Sequence, residues 1–251
     1  MKQLRLKDDT RIAYTLNGPE DAPTVLLMDG ISCDGFIWAY LQPELEKSFR
    51  VLHLHYRGHG LSGLPRDPEA VTVPHLTRDV DEVMRTLNLG PAICIGHSMG
   101  VQVVVELAFR YPKHFRAGVL LCGSGGRLLD TFKGSDMGTR LVPHIRDFTG
   151  RYGRLMEPAL RAILPSDFAL MVATLSESNM DLMQKEDLKP YLEHMATMQP
   201  ELFSRILYDA ATRSSRHFLQ RIHEPMLVVA GERDGFTPAW VSRVMAGHLP
   251  N

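Results

Sequence analysis

Short, continuous apolar runs alternate with amphipathic stretches along most of the chain. Runs that are almost wholly apolar and only a few residues long are typical of strands buried on both faces of a parallel sheet. The predicted strands are residues 24–28, 50–56, 91–95, 117–122 and 226–230. Apolar residues spaced by three and four predict helices at residues 36–49, 72–87, 101–110 and 238–248. This alternation predicts an α/β fold in which helices flank a mostly parallel sheet.

Two regions depart from the alternation. Residues 3–16 alternate around a polar turn and predict an N-terminal hairpin. The stretch from 126 to 220 contains helical patterns but no convincing strand. Its predicted helices are residues 155–164, 167–175, 188–198 and 201–211.

These patterns predict a core interrupted by one helical insertion. We assign residues 1–126 and 221–251 to an α/β core and residues 127–220 to an inserted helical cap, or lid. In open α/β sheets ligands bind outside the carboxyl ends of the strands. The cap is therefore expected to cover that edge of the sheet.

Composition and charge exclude several classes of protein. The 251 residues carry 28 Lys and Arg against 29 Asp and Glu, so the net charge of −1 gives no global field for nucleic acid or an anionic membrane. The N-terminus is too charged for a signal peptide, and no apolar run is long enough to span a membrane. Three widely spaced cysteines argue against a disulfide framework. We expect a cytoplasmic protein, with its oligomeric state undetermined.

Residues 96–100 spell G-H-S-M-G between a predicted strand and a predicted helix. In so sharp a turn the serine takes a strained backbone, and the flanking glycines let the two segments pass closely. The Ser98 hydroxyl would then stand above the sheet at a helix N-terminus. There the Met99 N–H could meet a developing oxyanion. Ser98 is therefore the candidate nucleophile.

With this motif in place, the chain resembles the α/β-hydrolase family over almost its whole length. The resemblance rests on the hairpin, D-G-I at 29–31, R-G-H-G-L-S at 57–62, the serine turn, the helical cap and G-E-R-D at 231–234, which occur in the family's order. It implies a serine hydrolase that needs no cofactor.

The same resemblance implies roles for four residues. Ser98 would be the nucleophile, and Asp234 the acid that orients a histidine and stabilises its imidazolium. The oxyanion hole would consist of the backbone N–H groups of Ile31 and Met99. The alternative interpretation of Asp234 is a turn residue, because R-D-G is common in loops.

Three features depart from the family's pattern. Asp29-Gly30 replaces a common His-Gly pair, and a carboxylate there would oppose negative charge in the oxyanion hole. His55 replaces a common aspartate, which we interpret as a structural substitution. The family's catalytic histidine usually follows one further strand beyond the acid, whereas 17 residues follow Asp234.

The histidines of this chain do not obviously replace the absent one. His248 is the only histidine after Asp234 and is predicted at a helix end far from Ser98. His97 adjoins the serine, but neighbours in so tight a turn point apart. We therefore expect a chain shortened relative to a full-length hydrolase.

Two other patterns are rejected. Residues 58–63 spell G-x-G-x-x-G, yet Pro65 and Pro68 prevent the helix that would hold a dinucleotide pyrophosphate. His53, His55 and His59 lie close in sequence but lack a convergent carboxylate or thiolate, so no metal site is expected.

Two functions from different classes remain. The first is hydrolysis of a small, largely uncharged ester or lactone through an acyl-enzyme on Ser98, with C–C bond hydrolysis and cofactor-free haloperoxidation as variants. Serine at the turn, where an aspartate would be needed, counts against epoxide hydrolase and dehalogenase chemistry. The second is a catalytically impaired relative that binds a hydrophobic small molecule.

Overall fold

Seven strands form one sheet in the computed structural model, which describes residues 1–129, 135–176 and 185–250. The strands are β1 (Lys2–Arg5), β2 (Arg11–Asn17), β3 (Thr24–Met28), β4 (Arg50–Leu54), β5 (Ala92–His97), β6 (Phe115–Leu121) and β7 (Met226–Val229). Their spatial order is β1-β2-β4-β3-β5-β6-β7. The hairpin β1–β2 is antiparallel, as is the pairing of β2 with β4, and the remaining pairs are parallel. The predicted α/β fold with a mostly parallel sheet is confirmed.

Nine α-helices connect or flank the strands in the described part of the chain. They are α1 (Leu41–Leu45), α2 (Val73–Thr86), α3 (Met99–Arg110), α4 (Met137–Ile163), α5 (Asp167–Ser176), α6 (Lys185–Thr197), α7 (Pro200–Thr212), α8 (Arg216–Leu219) and α9 (Ala239–Ala246). Short 3₁₀ turns occur at Phe36–Trp38 and Pro112–His114. Helices α4 to α8 all lie between β6 and β7 in the chain. None of the described helices is both long and apolar enough to cross a membrane.

The helix predicted at 36–49 is wrong in extent. The structure has the 3₁₀ turn Phe36–Trp38 and the five-residue helix α1 in its place. Trp38 turns inward, is 2% exposed and donates a hydrogen bond from Nε1 to Asp29. Because Trp38 is buried against Asp29, the chain does not continue as the single helix that the spacing predicted.

Helix α4 begins 18 residues before the predicted start at Leu155. Pro143, Pro158 and three glycines lie inside it, and both residue types lower helix propensity. Contact with α7 stabilises the helix, because Thr149 of α4 is buried and its hydroxyl lies 2.6 Å from that of Ser204 in α7.

Both faces of the sheet are covered by apolar side chains. Leu26 and Met28 of β3 belong to the larger core cluster, which includes residues of α2 and α3. Val25 and Leu27 alternate with them and pack on the opposite face with Trp38. Burial on both faces explains why β3 is a continuous apolar run.

Candidate active site

The turn between β5 and α3 holds Ser98 with a positive φ. Its φ is 54° and its ψ is −118°, in a region that non-glycine residues rarely adopt. A Cβ on Gly96 would lie 2.4 Å from the carbonyl oxygen of Gly100. One on Gly100 would lie 2.3 Å from the Met28 carbonyl oxygen. The strained serine therefore depends on two positions that must lack a side chain.

The end of β6 completes the environment of the serine. The Ser98 N–H donates to the Leu121 carbonyl over 3.0 Å. A Cβ on Gly123 would lie 2.5 Å from the Ser98 carbonyl oxygen. Sequence reasoning missed Gly123, although a glycine-rich stretch directly after an apolar strand was a usable signal.

The loop after β3 approaches the serine from the other side. A Cβ on Gly30 would lie 3.2 Å from the Ser98 Cβ. Ile31 follows Gly30 and is half-buried, while Met99 is buried and is the first residue of α3. The fold therefore brings the loop that carries Ile31 next to Ser98, which Met99 directly follows.

The Asp29 carboxylate is buried beside this loop and is occupied by two donors. Trp38 Nε1 lies 2.5 Å from Oδ1, and His53 Nε2 lies 2.9 Å from Oδ2. Burial acts to raise the pKa of Asp29, but His53 and Trp38 outweigh it and the pKa is lowered. Burial acts to lower the pKa of His53, but the Asp29 charge outweighs it and raises it. The carboxylate expected to oppose an oxyanion therefore has two hydrogen-bond partners of its own, Trp38 and His53.

Asp234 lies in the loop after β7, at the same edge of the sheet as Ser98. The Cys122 N–H at the end of β6 donates to the Val229 carbonyl. A Cβ on Gly231 would lie 3.3 Å from the Asp234 Cβ and 3.9 Å from the Cys122 Sγ. Ser98 and Asp234 therefore follow strands on either side of β6.

The Asp234 carboxylate is held by its own loop. Oδ1 accepts from the N–H groups of Phe236 at 2.8 Å and Thr237 at 2.9 Å, and Oδ2 accepts from the Thr237 hydroxyl at 2.7 Å. No hydrogen bond joins it to a histidine among the residues that the structure describes. An ionised carboxylate has about four acceptor sites, so Oδ2 retains capacity for one further donor.

Neither neighbouring histidine connects Asp234 to Ser98. His248 Nε2 accepts from Arg216 at 3.1 Å, and its Nδ1 lies 2.7 Å from the Val244 carbonyl. His97 Nδ1 is buried and has no hydrogen-bond partner in the described part of the molecule. Burial lowers the pKa of His97, while the charges of Asp29 and Asp234 act to raise it.

A cluster of four histidines lies below the loop after β3. The rings of His53 and His55 are 5.5 Å apart, and those of His59 and His194 stack at 6.0 Å. Their nitrogens are largely engaged in local hydrogen bonds. His55 Nδ1 accepts from the Leu61 N–H, which supports its structural interpretation. Within the described ranges no three His, Cys, Asp or Glu residues are arranged to hold a metal.

Helix α6 contributes residues that sequence reasoning missed. His194 Nε2 accepts from the Gly60 N–H at 2.7 Å. Just after α6, Met198 Sδ accepts from the Ser32 hydroxyl at 3.1 Å. Ser32 and Gly60 lie in loops at the carboxyl end of the sheet, so the helical segment contacts the neighbourhood of the candidate oxyanion loop. No spacing along the chain connects positions so far apart.

Comparison with known proteins identifies the family. The family model described as alpha/beta hydrolase fold matches residues 23–251. The chain belongs to the α/β-hydrolase family. As an α/β hydrolase it has the strand order and serine turn described above.

Three similar proteins illustrate the range of this family. The chain is 26% identical to "Putative carbamate hydrolase RutD" of Caulobacter vibrioides over 262 residues, which cover 100% of this chain and 88% of that protein. It is 28% identical to epoxide hydrolase 4 of Mus musculus over 44% of this chain. The crystal structure of the enol-lactonase from Burkholderia xenovorans LB400 superposes with a TM-score of 0.74 at 21% identity, covering 99% of this chain and 88% of that one. The chain spans only 20% to 31% of the length of the three epoxide hydrolases that it matches.

Proposed function

We propose that this α/β hydrolase cleaves a small, largely uncharged carboxylic ester or lactone through an acyl-enzyme on Ser98. The observation that carries the proposal is the backbone of Ser98, with φ at 54° in a turn flanked by two glycines that have no room for a Cβ. Strain of this kind persists where a function requires it. The names of an enol-lactonase and a carbamate hydrolase among its relatives support acyl chemistry.

In the proposed reaction, Ser98 Oγ attacks the acyl carbon as its proton leaves to a base. The carbonyl oxygen becomes an oxyanion that the Ile31 and Met99 N–H groups stabilise. Such donors aimed at developing charge are worth about 3–4 kcal/mol each in transition-state stabilisation. Collapse of this intermediate breaks the bond to the alkoxy oxygen, which takes the proton from the base and becomes an alcohol. An ester releases this alcohol, whereas in an opened lactone the hydroxyl stays attached to the acyl group. Water then attacks the acyl-enzyme, which releases the carboxylic acid and restores the serine hydroxyl.

The proton transfer is the step for which the described residues offer no direct route. Asp234 lies at the correct edge of the sheet, and we propose it as the acid that would orient an imidazole. Among the described residues, neither His97 nor His248 forms a hydrogen bond with it. An α/β hydrolase that has Ser98 and an oxyanion hole but lacks this imidazole is expected to keep part of its rate enhancement.

We further propose that the helical segment of residues 127–220 is a cap over this site. Support comes from α6, whose Tyr191 ring lies 5.8 Å from that of Phe36 in the 3₁₀ turn after β3. His194 and Met198 reach the loops beside Ser98. Apolar residues from such a segment would favour an uncharged substrate over an ionic one.

A fluorophosphonate probe tests the nucleophile separately from turnover. The wild-type chain is expected to be labelled at Ser98, and Ser98→Ala to lose all labelling. Ser214→Ala removes an exposed serine elsewhere and serves as the matched control, which should label like the wild type. Mass spectrometry of the labelled peptide identifies the site. No label on Ser98 in the folded protein would refute the proposal.

The absence of an imidazole on Asp234 among the described residues favours a second candidate function, binding of a hydrophobic small molecule without efficient catalysis. Turnover of p-nitrophenyl esters separates the two. A burst followed by steady release supports the hydrolase. Labelling of Ser98 without a burst or steady release supports the binding protein, because the nucleophile would then be accessible but unable to complete the cycle.

A further inference from the structure

One side of helix α4 exposes a long row of apolar side chains. Between 41% and 81% of each side chain's surface is exposed, and successive members are three or four residues apart, so they share one side of the helix. We call these residues the α4 stripe: Met137, Leu141, Ile145, Phe148, Tyr152 and Leu155. The stripe is about 27 Å long at 1.5 Å per residue.

The stripe is distinct from the face by which α4 packs on the rest of the protein. Val142, Thr149 and Gly153 are the buried residues of α4, and Thr149 is joined to Ser204 of α7. Their positions lie about 90° or more around the helix from the centre of the stripe. Contact with α7 therefore leaves the stripe uncovered.

One border of the stripe is rich in arginine, and two of these arginines, Arg151 and Arg154, also line a groove with Glu201 of α7. The residues that directly precede the last five members are Arg140, His144, Asp147, Arg151 and Arg154, all exposed. The whole helix carries five arginines against one aspartate and one glutamate. Arg140, Arg146 and Arg161 form ion pairs with Asp136, Glu69 and Glu157, whereas Arg151 and Arg154 have no ion pair among the described residues. The chain has a net charge of −1, so this local excess of positive charge is a feature of α4 and not of the protein as a whole.

Further apolar side chains are exposed in the chain after the stripe. Ile163 at the end of α4 is 53% exposed, and Phe168 and Met171 of α5 are 65% and 47% exposed. Within the stripe the rings of Phe148 and Tyr152 lie 5.1 Å apart. Exposed apolar side chains grouped along one side of a helix mark an interaction site in a folded protein.

We propose that the α4 stripe docks on an anionic lipid surface. A helix that combines an apolar side containing aromatic rings with an arginine-rich polar side is the type that lies in the headgroup region of a bilayer. The apolar side chains would enter the acyl boundary while the arginines meet lipid phosphates. The net charge of the whole chain predicted no attraction to an anionic membrane. The proposed contact depends instead on the local charge of α4.

A second copy of the chain fits the stripe less well. In an antiparallel two-fold pairing of two stripes, the arginine-rich border of one helix would lie beside that of the other. Like charges at such positions destabilise a helix pair. The charge of the border therefore favours an anionic surface over self-association.

Vesicle co-sedimentation of the full chain tests the proposal. Vesicles of equal parts phosphatidylglycerol and phosphatidylcholine are compared with vesicles of phosphatidylcholine alone. We expect binding to the anionic vesicles that weakens with added salt, and binding at least about tenfold weaker to the neutral ones. The double variant Phe148→Ser with Leu155→Ser should lose about tenfold or more in affinity.

Two further variants and a size measurement complete the test. Arg151→Glu with Arg154→Glu should abolish the preference for anionic vesicles. Leu64→Ser, which changes an exposed leucine outside α4, should bind like the wild type. Circular dichroism verifies that each variant is folded. The proposal is overturned by no binding to anionic vesicles, by binding that the Phe148 and Leu155 changes leave intact, or by a dimer in light scattering that the same changes dissociate.

Discussion

At the scale of single residues, the serine turn concentrates strain in one backbone position. A non-glycine residue in a sparsely populated conformation costs about 1–3 kcal/mol. Ser98 adopts such a conformation, and the hydrogen bond from its N–H to Leu121 helps to hold it there. Gly96, Gly100 and Gly123 allow three backbone segments to approach the turn closely. The geometry of the site therefore depends on these three glycines as much as on the serine.

Gly100→Ala is expected to lower the free energy of unfolding by about 2–3 kcal/mol, because overpacking against rigid backbone cannot relax. The new Cβ would lie 2.3 Å from the Met28 carbonyl oxygen and 2.8 Å from that of Asp29. Urea unfolding followed by circular dichroism measures the change. Loss of labelling at Ser98 should accompany it.

Gly150→Ala is the matched control for this substitution. It also replaces a helical glycine, but a Cβ at this position on α4 would have nothing within 4 Å. Alanine should stabilise the helix by about 0.5–1 kcal/mol. Equal effects of the two substitutions would contradict the close approach assigned to Gly100.

At the scale of elements, burial overrides local propensity in the helix after the serine. Helix α3 contains the run V-Q-V-V-V, whose β-branched residues favour strands. The same valines are fully buried between the sheet and neighbouring helices. Their transfer from water, at about 1.5–3 kcal/mol for each fully buried side chain, exceeds the propensity cost of a few tenths of a kcal/mol.

Strand β7 forms an exposed edge of the sheet. Among the described residues it pairs with β6 alone, and Leu227 and Val229 are 57% and 39% exposed. A groove of about 350 Å³ separates it from α9, whose Trp240 is also exposed. Unpaired, apolar strand edges promote association.

Leu227→Lys is therefore expected to raise the protein concentration at which aggregation begins, since a charge on an edge strand blocks pairing. Static light scattering over a concentration series measures the onset. Leu61→Lys makes the same change at an exposed loop residue and should leave the onset near that of the wild type. Equal shifts for both variants would show that net charge, and not the edge, governs aggregation.

At the scale of the whole molecule, buried histidines make stability depend on pH. Burial lowers the pKa of His55, His59, His97 and His194, and that of His59 reaches about 4. In the unfolded chain these groups take up protons near pH 6.5. The unfolded state therefore binds protons first as the pH falls, and stability decreases. His53 acts in the opposite direction, because its raised pKa adds stability that is present below pH 6.5.

His59→Gln is expected to reduce the loss of stability between pH 7.5 and 4.5 by about 2–3 kcal/mol, the amount that its lowered pKa implies. Urea unfolding at several pH values measures it. His217→Gln changes an exposed histidine and should leave the pH dependence unchanged. Parallel pH curves for wild type and His59→Gln would contradict a neutral, buried His59.

The periodicity of the chain predicted most of the sheet and its helices, because burial on one or two faces leaves a local pattern. Strand β3 was predicted at its observed bounds, and α2 to within a few residues. The start of α4 was not, because its helical state rests on contact with α7 across a stretch containing proline and glycine. The roles of Ser98 and Asp234 remain predictions, although the fold places both at one edge of the sheet.

The sequence by itself determined the α/β alternation and the serine turn, since each depends on residues close together in the chain, and it predicted the family from the order of its motifs. Only the tertiary structure decided that His53 and Trp38 satisfy the Asp29 carboxylate, that His194 of α6 meets Gly60, and that one side of α4 is left uncovered. These contacts join residues up to 134 positions apart. Local patterns record which side chains are buried, but only folding determines what they are buried against.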